Sequence, residues 1–298
     1  MGDTIPVLFD TDIGSDIDDA VALAYLLRQP RCELVGVTTV TGQAQARAML
    51  ASALCRAAGR DNVPIHSGVE KPLLVAQRQP LAPQAGVLSR WPHREDFAPN
   101  TAVPFMRDAI HRRPGEITLL AVGPLTNVGL LFALDPDIPR LLRGLVLMGG
   151  VFANRTAGLP RLEWNAMLDP HATALVYRAP VKPHTSIGLE VTTRCQMPAS
   201  ECRARFRGGV LNVVADMAEV WFQGQPTITF HDPLAAAVTF EPGLCAYEEG
   251  QVEVELQSDR ALGMTHWDPQ SAERPHRVAA AVEPSRFFEH YFSVVAAP

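Results

Sequence analysis

The chain has 298 residues, of which 47% are hydrophobic and 19% charged, and its net charge is -6. That length suits one large α/β domain or two small ones, and the composition can fill a sizeable core. No basic run is present to neutralise a nucleic-acid backbone, and no apolar stretch reaches the length of a membrane span, so neither partner is expected.

The first residues lack a charged region followed by an apolar stretch, so no signal peptide is read. The five cysteines form no C-x-x-C pair and are odd in number. Reduced, buried thiols in a cytoplasmic protein are the expectation.

In chain order, residues 7–9 form a short apolar run ending at Asp10. Residues 20–27 read as a buried helix, 34–40 as a β-branched buried strand, 44–58 as an alanine-rich helix and 63–66 as a third strand. Strand–helix alternation of this kind implies a mainly parallel sheet with helices on its faces. Residues 74–100 hold several prolines and no clear period, which reads as a long surface excursion of the kind that serves as a lid.

Alternation resumes with a strand at 117–122, a helix at 125–134 and a strand at 145–148 that ends in Gly149-Gly150. An irregular stretch runs to Asn165. Helices are then expected at 170–177, 211–222 and from 231 to 238, and strands at 184–189, 252–256 and 278–282. An amphipathic helix at 285–295 closes the chain. No repeat or linker divides it, so residues 1–298 are expected to form a single α/β domain. Ligands of open α/β sheets bind beyond the carboxyl ends of the strands. The segments to inspect are therefore 10–19, 40–43, 122–127 and 148–165.

The first of these puts five carboxylates, Asp10, Asp12, Asp16, Asp18 and Asp19, in ten residues. Carboxylates held so close repel one another unless a cation gathers them, and a hard divalent cation takes oxygen ligands of this type. Gly14 allows a tight turn between them. Asp18 and Asp19 also stand where a helix begins, which suits a simple cap. An EF-hand is excluded: counted from Asp10, glycine falls fifth and Val21 twelfth, where glycine at six and glutamate at twelve are needed. No phosphate-binding loop, H-E-x-x-H or G-x-S-x-G is present.

Elsewhere, Gly123-Pro124 turns a strand into a helix and leaves the polar pair Thr126-Asn127 to be explained. Glu163 and Asn165 flank Trp164, a pattern equally suited to a surface loop or to the hydroxyls of a sugar. Asp232 opens an apolar helix as a cap or as a distant metal ligand, and His231 beside it suits an acid or a hydrogen-bond donor. His93 lies in the excursion.

Taken together, five separated motifs resemble the inosine–uridine nucleoside hydrolases over nearly the whole chain. They are Asp10–Ala20; Gly36-Val-Thr-Thr-Val-Thr-Gly42; Val122-Gly-Pro-Leu-Thr-Asn127 with Leu147-Met-Gly-Gly150; Glu163-Trp-Asn165 with Asp169-Pro170; and His231-Asp232. The resemblance implies hydrolysis of the N-glycosidic bond of ribonucleosides, with Ca2+ at the bottom of a ribose pocket. It implies metal ligation by Asp12, Asp19, Asp232 and the main-chain carbonyl of Val122, with Asp12 also deprotonating the calcium-bound water. Asp18, Glu163 and Asn165 would bind the ribose hydroxyls, Met148 would line the pocket, and His231 would lie near the leaving base. The resemblance further implies a homodimer or a homotetramer.

The chain departs from the family pattern at several points. The aspartate pair Asp18-Asp19 falls two positions later than usual, with Asp16 at the common spacing. Gln43 replaces an asparagine and keeps the amide for the ribose. Ala157 replaces an asparagine, with Asn154 offered in its place. The usual histidine–glycine pair is missing, and the segment 88–93 occupies its zone. Two rivals accompany the enzyme reading. One is a non-catalytic, calcium-dependent ribose or nucleoside binder. The other is an aspartyl-nucleophile phosphatase, for which the only lysines, Lys71 and Lys182, are poorly placed.

Overall fold

The computed structural model describes residues 3–152 and 158–296. The first half alternates as expected: β1 (Ile5–Thr11), α1 (Asp18–Arg28), β2 (Cys32–Thr39), α2 (Ala44–Ala57), β3 (Ile65–Ser67), α3 (Ala102–Arg112), β4 (Thr118–Ala121), α4 (Thr126–Leu134), α5 (Ile138–Leu141) and β5 (Gly144–Met148). Next come α6 (Trp164–Leu168), α7 (Pro170–Arg178), β6 (His184–Ile187) and α8 (Leu189–Thr192). They are followed by β7 (Gln196–Pro198), α9 (Ala199–Arg205), α10 (Val210–Trp221), β8 (Thr227–Thr229) and α11 (His231–Phe240). The chain closes with β9 (Cys245–Val254), β10 (Thr265–Asp268), β11 (His276–Val282) and α12 (Pro284–Val295).

Nine strands form one sheet in the order β10-β9-β11-β6-β5-β4-β1-β2-β3, and β7 and β8 form a small antiparallel pair beside it. From β3 across to β11 every pairing is parallel, and β9 and β10 extend the edge in antiparallel fashion. The sheet is thus mixed α/β and mainly parallel. Its inner strands are apolar because both faces are covered: every residue of β1, β4 and β6 is buried. Helix α1 is buried from Asp18 to Leu27, an all-round burial that follows from packing between the sheet and α10, α11 and α12. Each such leucine or valine contributes about 1.5–3 kcal/mol on burial.

The strand order 3-2-1-4-5-6 reverses between β1 and β4, and the crevice at that reversal is where open α/β sheets take their ligands. Asp12 follows β1 there, and Val122 follows β4.

Several expectations are corrected. The excursion is not purely superficial: residues Pro83–Arg90 form a 3-10 helix, and Gln79, Ala82, Gln84, Val87 and Phe97 are buried. Helix α3 follows directly, with its apolar Val103, Met106 and Ile110 inward, and went unrecognised beside the proline-rich stretch. The strand expected at 252–256 begins at Cys245, because its outward residues are polar and it lies toward the sheet edge. The strands β7, β8 and β10 are too short for a pattern to be read. All five cysteines are free and buried. No helix among the described residues is long and apolar enough to cross a membrane.

Candidate active site

Asp10 belongs to the strand and not to the convergent carboxylates beyond it. Its carboxylate accepts from Thr38 Oγ1 at 2.5 Å and Asn127 Nδ2 at 2.8 Å. The Asn127 amide also bonds the Thr39 carbonyl and the Val69 N–H, which accounts for the polar pair after Pro124. Its partner Thr126 donates to Asp169, which caps α7 and also accepts from the Leu73 N–H. These contacts tie the ends of β1, β2, β3 and β4 into one rigid floor.

Above this floor, Asp18, Asp19 and Asp232 are buried, and one carboxylate oxygen of each lies within 4.8 Å of the others. None of the three is an N-cap residue: those positions in α1 and α11 are Ile17 and Phe230, whose own side chains make no cap bond. Instead both helices begin at the cluster, so their N-terminal dipoles face the carboxylates. Asp18 Oδ2 accepts the Asp232 N–H at 3.0 Å, and Thr11 Oγ1 donates to Asp19. Asp12 lies outside the close triple but within its field, since its charge is among the causes that raise Asp18, Asp19 and Asp232. Asp16 is only partly buried and bonds the Ile17 N–H at 2.6 Å.

Burial dominates the electrostatics. It raises Asp10 to about 7 and Asp16 to about 6. Asp18, Asp19 and Asp232 are pushed well above the ordinary carboxylate range by burial first and then by neighbouring carboxylates, chiefly Asp16 for Asp18, Asp12 for Asp19 and Asp18 for Asp232. Asp12 is also raised by burial, against the opposing pull of the Arg47 guanidinium and the Gln79 amide. Carboxylates buried together with oxygen donors alone are the environment a hard divalent cation fits, because the ion removes their repulsion.

Arg47 was not anticipated. It is completely buried on the inward face of α2. Its Nε donates to the Gly42 carbonyl and its terminal nitrogens to the carbonyls of Asp12, Ile13 and Leu81 and to Ser15 Oγ. One guanidinium thereby joins the aspartate loop, the turn after β2 and the excursion. The signal was a lone arginine among the alanines and leucines of a buried helical face.

That turn is tight: Thr41 and Gln43 have φ of 67° and 59°. A Cβ on Gly42 between them would fall 2.5 Å from the Pro80 backbone, so only glycine admits the excursion there. Gln43 is exposed, and its Oε1 accepts the Ala82 N–H at 2.7 Å. Gln79, also unanticipated, donates through Nε2 to Asp12 Oδ2. Nothing in the proline-rich sequence around it gave a signal. Gly123 is required as well, since a Cβ there would lie 2.7 Å from Asp12 Oδ1.

Glu163 is not a surface-loop residue. It is buried, caps α6 and accepts from the N–H groups of Asn165, Ala166 and Gly150 at 2.7, 3.0 and 3.3 Å. Asn165 Nδ2 donates to the Val122 carbonyl at 2.6 Å and lies 3.4 Å from the Met148 carbonyl, so Val122, Met148, Glu163 and Asn165 meet at one place. A carbonyl has two lone pairs, which leaves Val122 free to meet a second partner. His231 is half-buried at the same end of the sheet. Its Nδ1 lies 2.7 Å from Thr192 Oγ1, and burial lowers it to about 4, which makes it neutral near pH 7.

His93 bonds the Trp91 carbonyl within its own loop. Asn154 and Ala157 lie outside the described residues. Lys71 and Lys182 are exposed, whereas Asp12, Asp18, Asp19 and Asp232 are buried, so the phosphatase reading gains no support.

Comparison with known proteins agrees with this geometry. The chain is 32% identical to the pyrimidine-specific ribonucleoside hydrolase RihA of Citrobacter koseri, over 88% of this chain and 87% of that protein. It is 28% identical to uridine nucleosidase 1 of Arabidopsis thaliana, over 86% and 80%. Its fold matches a plant nucleoside hydrolase with a TM-score of 0.84, 23% identity and 99% of both chains covered. It matches a purine-preferring ribonucleoside hydrolase from Gardnerella vaginalis with a TM-score of 0.84, 22% identity and 98% coverage of both. The profile of the inosine-uridine preferring nucleoside hydrolases matches residues 7–289. The chain therefore belongs to the inosine-uridine preferring nucleoside hydrolase family, whose members are hydrolases of N-glycosyl bonds.

Proposed function

We propose that the chain hydrolyses ribonucleosides to ribose and free base in a calcium-dependent site, with Asp12 as the base that deprotonates the attacking water. The observation that supports this most is the buried triple of Asp18, Asp19 and Asp232, with oxygens within 4.8 Å, beside Asp12 at the point where the strand order reverses. Asp12, Asp19, Asp232 and the Val122 carbonyl are assigned to the ion, and Asp18 stands near enough to join them or to take a ribose hydroxyl. When bound, calcium would supply the positive charge that acidifies a water and holds a sugar diol.

The protein's own groups do the rest. Breaking an N-glycosidic bond builds positive charge on the ribose ring, as in glycoside hydrolysis. The carboxylates beneath the sugar stabilise that charge in a site shielded from water. Asp18, Glu163 and Asn165 are assigned to the ribose hydroxyls and Met148 to the pocket wall, so that binding energy can hold the ring in a reactive shape. Glu163 is held rigid by three backbone N–H groups and is therefore a preformed acceptor. His231, neutral and steadied by Thr192, suits hydrogen-bond donation to the departing base better than full proton transfer. The amide of Gln43 keeps only its Nε2 end for the ribose, because Oε1 holds the excursion.

Both pyrimidine and purine names occur among the relatives, so a panel of uridine, cytidine, inosine and adenosine is the direct test. Release of reducing sugar that a chelator abolishes and calcium restores is the expected result. Calcium-dependent nucleoside binding with no sugar release would replace the enzyme by the binding-protein reading.

On the family resemblance we also assign a homodimer or homotetramer, which sedimentation reads directly.

A further inference from the structure

We propose that Gln79 is a positioning residue for the Asp12 carboxylate, with its amide locked in place by the Trp164 indole. The inference rests on the reading of Asp12 as the base.

Gln79 is 8% exposed and lies in the excursion between β3 and α3. Its Nε2 donates to Asp12 Oδ2, and its Oε1 accepts the Trp164 Nε1–H at 2.6 Å. An indole nitrogen only donates, and an ionised carboxylate only accepts. The two partners therefore dictate which end of the amide faces which, and the usual ambiguity of a glutamine side chain does not arise. The other oxygen of Asp12 is confined too, since Oδ1 lies against the backbone at Gly123. One oxygen is thus held by a hydrogen bond and the other has backbone close beside it. For a base that must aim a lone pair at one water, that orientation is the quantity that sets the rate.

The backbone carrying Gln79 is braced on either side. Its own N–H bonds Gln77 Oε1 at 2.7 Å. The following Pro80 packs against Gly42, and the Leu81 carbonyl accepts from Arg47 at 2.9 Å and from Ser15 at 3.2 Å. Gln43, the residue expected from sequence to bring an amide into the pocket, is exposed and spends its oxygen on the Ala82 N–H. A second amide, from the excursion, reaches the acidic centre. Trp164 is 50% exposed and stands between Glu163 and Asn165, so one indole connects the segment assigned to the sugar with the group assigned to the water.

The test uses Gln79→Leu, Gln79→Glu and Trp164→Phe in the full chain, with calcium and uridine. Both Gln79 variants are expected to lose about 10²-fold in kcat, the cost of a misaligned reacting group, with KM within about twofold of the parent. Trp164→Phe keeps an aromatic side chain but removes the indole donor and so frees the amide, and is expected to lose kcat in the same direction by a smaller factor. A raised KM with unchanged kcat would make Gln79 a sugar contact and overturn the proposal. A second readout needs no turnover: the indole N–H resonance of Trp164, identified by its absence in Trp164→Phe, is expected to shift in Gln79→Leu. An unshifted resonance overturns the proposal even if the wild-type chain proves inactive on uridine, whereas inactivity with a shifted resonance refutes only the assigned reaction.

Discussion

Asp12, Asp19 and His231 are each distinguished by what they touch. Asp12 meets an amide donor and a buried guanidinium, Asp19 meets a hydroxyl and two other carboxylates, and His231 meets a threonine hydroxyl. Asp12→Asn removes the base without changing shape. It is expected to lower kcat by about 10²–10⁴-fold while leaving the circular dichroism spectrum intact; parent-like turnover would take the role of base from Asp12. Asp19→Ala is expected to lose calcium on equilibrium dialysis, and unchanged metal content would move that ligand role to Asp16. His231→Ala is expected to slow substrates with poor leaving groups more than activated ribosides. Equal losses on both would argue against any role at the base.

At the scale of elements, the aspartate loop, the turn after β2 and the excursion are three connecting segments, and Arg47 on α2 is their common anchor. Arg47→Met keeps the apolar stem but strands several buried carbonyls and removes the only basic group credited with lowering Asp12. Breaking a buried charged network costs about 3–5 kcal/mol, and a drop of that order in chemical denaturation is expected, together with weaker calcium binding. An undiminished midpoint would mean the loops hold themselves.

The helices and buried strands here were readable because their side chains repeat with the element's own period. That is why α1, α2, α7 and β2 stand close to where the spacing of apolar residues puts them. The excursion was readable only as a break in that rhythm. Its contacts, Gln79 to Asp12 and Ala82 to Gln43, join residues 67 and 39 positions apart, and no local pattern encodes them.

For the molecule as a whole, the buried carboxylates make ion binding and pH inseparable. A carboxyl group whose folded pKa exceeds its unfolded value of 3.8 keeps a proton the unfolded chain has already released, so its contribution falls as pH rises. For Asp10 the window runs from about 4 to about 7, for Asp16 it ends near 6, and for Asp18, Asp19 and Asp232 it extends well above 3.8. The buried His184 acts in the opposite sense. Its folded pKa lies well below 6.5, so stability is lost as pH falls below that value. The two effects separate by difference. The rise in melting temperature on adding calcium to chelator-treated protein is expected to be small at pH 5 and larger at pH 8, because protons and calcium compete for the same oxygens while His184 affects both samples alike. At about 100 times its dissociation constant, calcium stabilises by about 2.7 kcal/mol. An increment that shrinks with pH would remove the cation from the carboxylate cluster.

The sequence alone determined the mainly parallel α/β architecture, the segments that end at the sheet's carboxyl edge and the residue types available there, because periodicity and spacing are local properties of a chain. Long-range packing settled which aspartate supports the floor and which three converge, that Asp18 and Asp232 stand inside their helices and not at the N-cap, and that Arg47 and Gln79 reach Asp12. Those outcomes depend on the strand order reversing between β1 and β4, which brings α1 and α11 together from opposite ends of the chain.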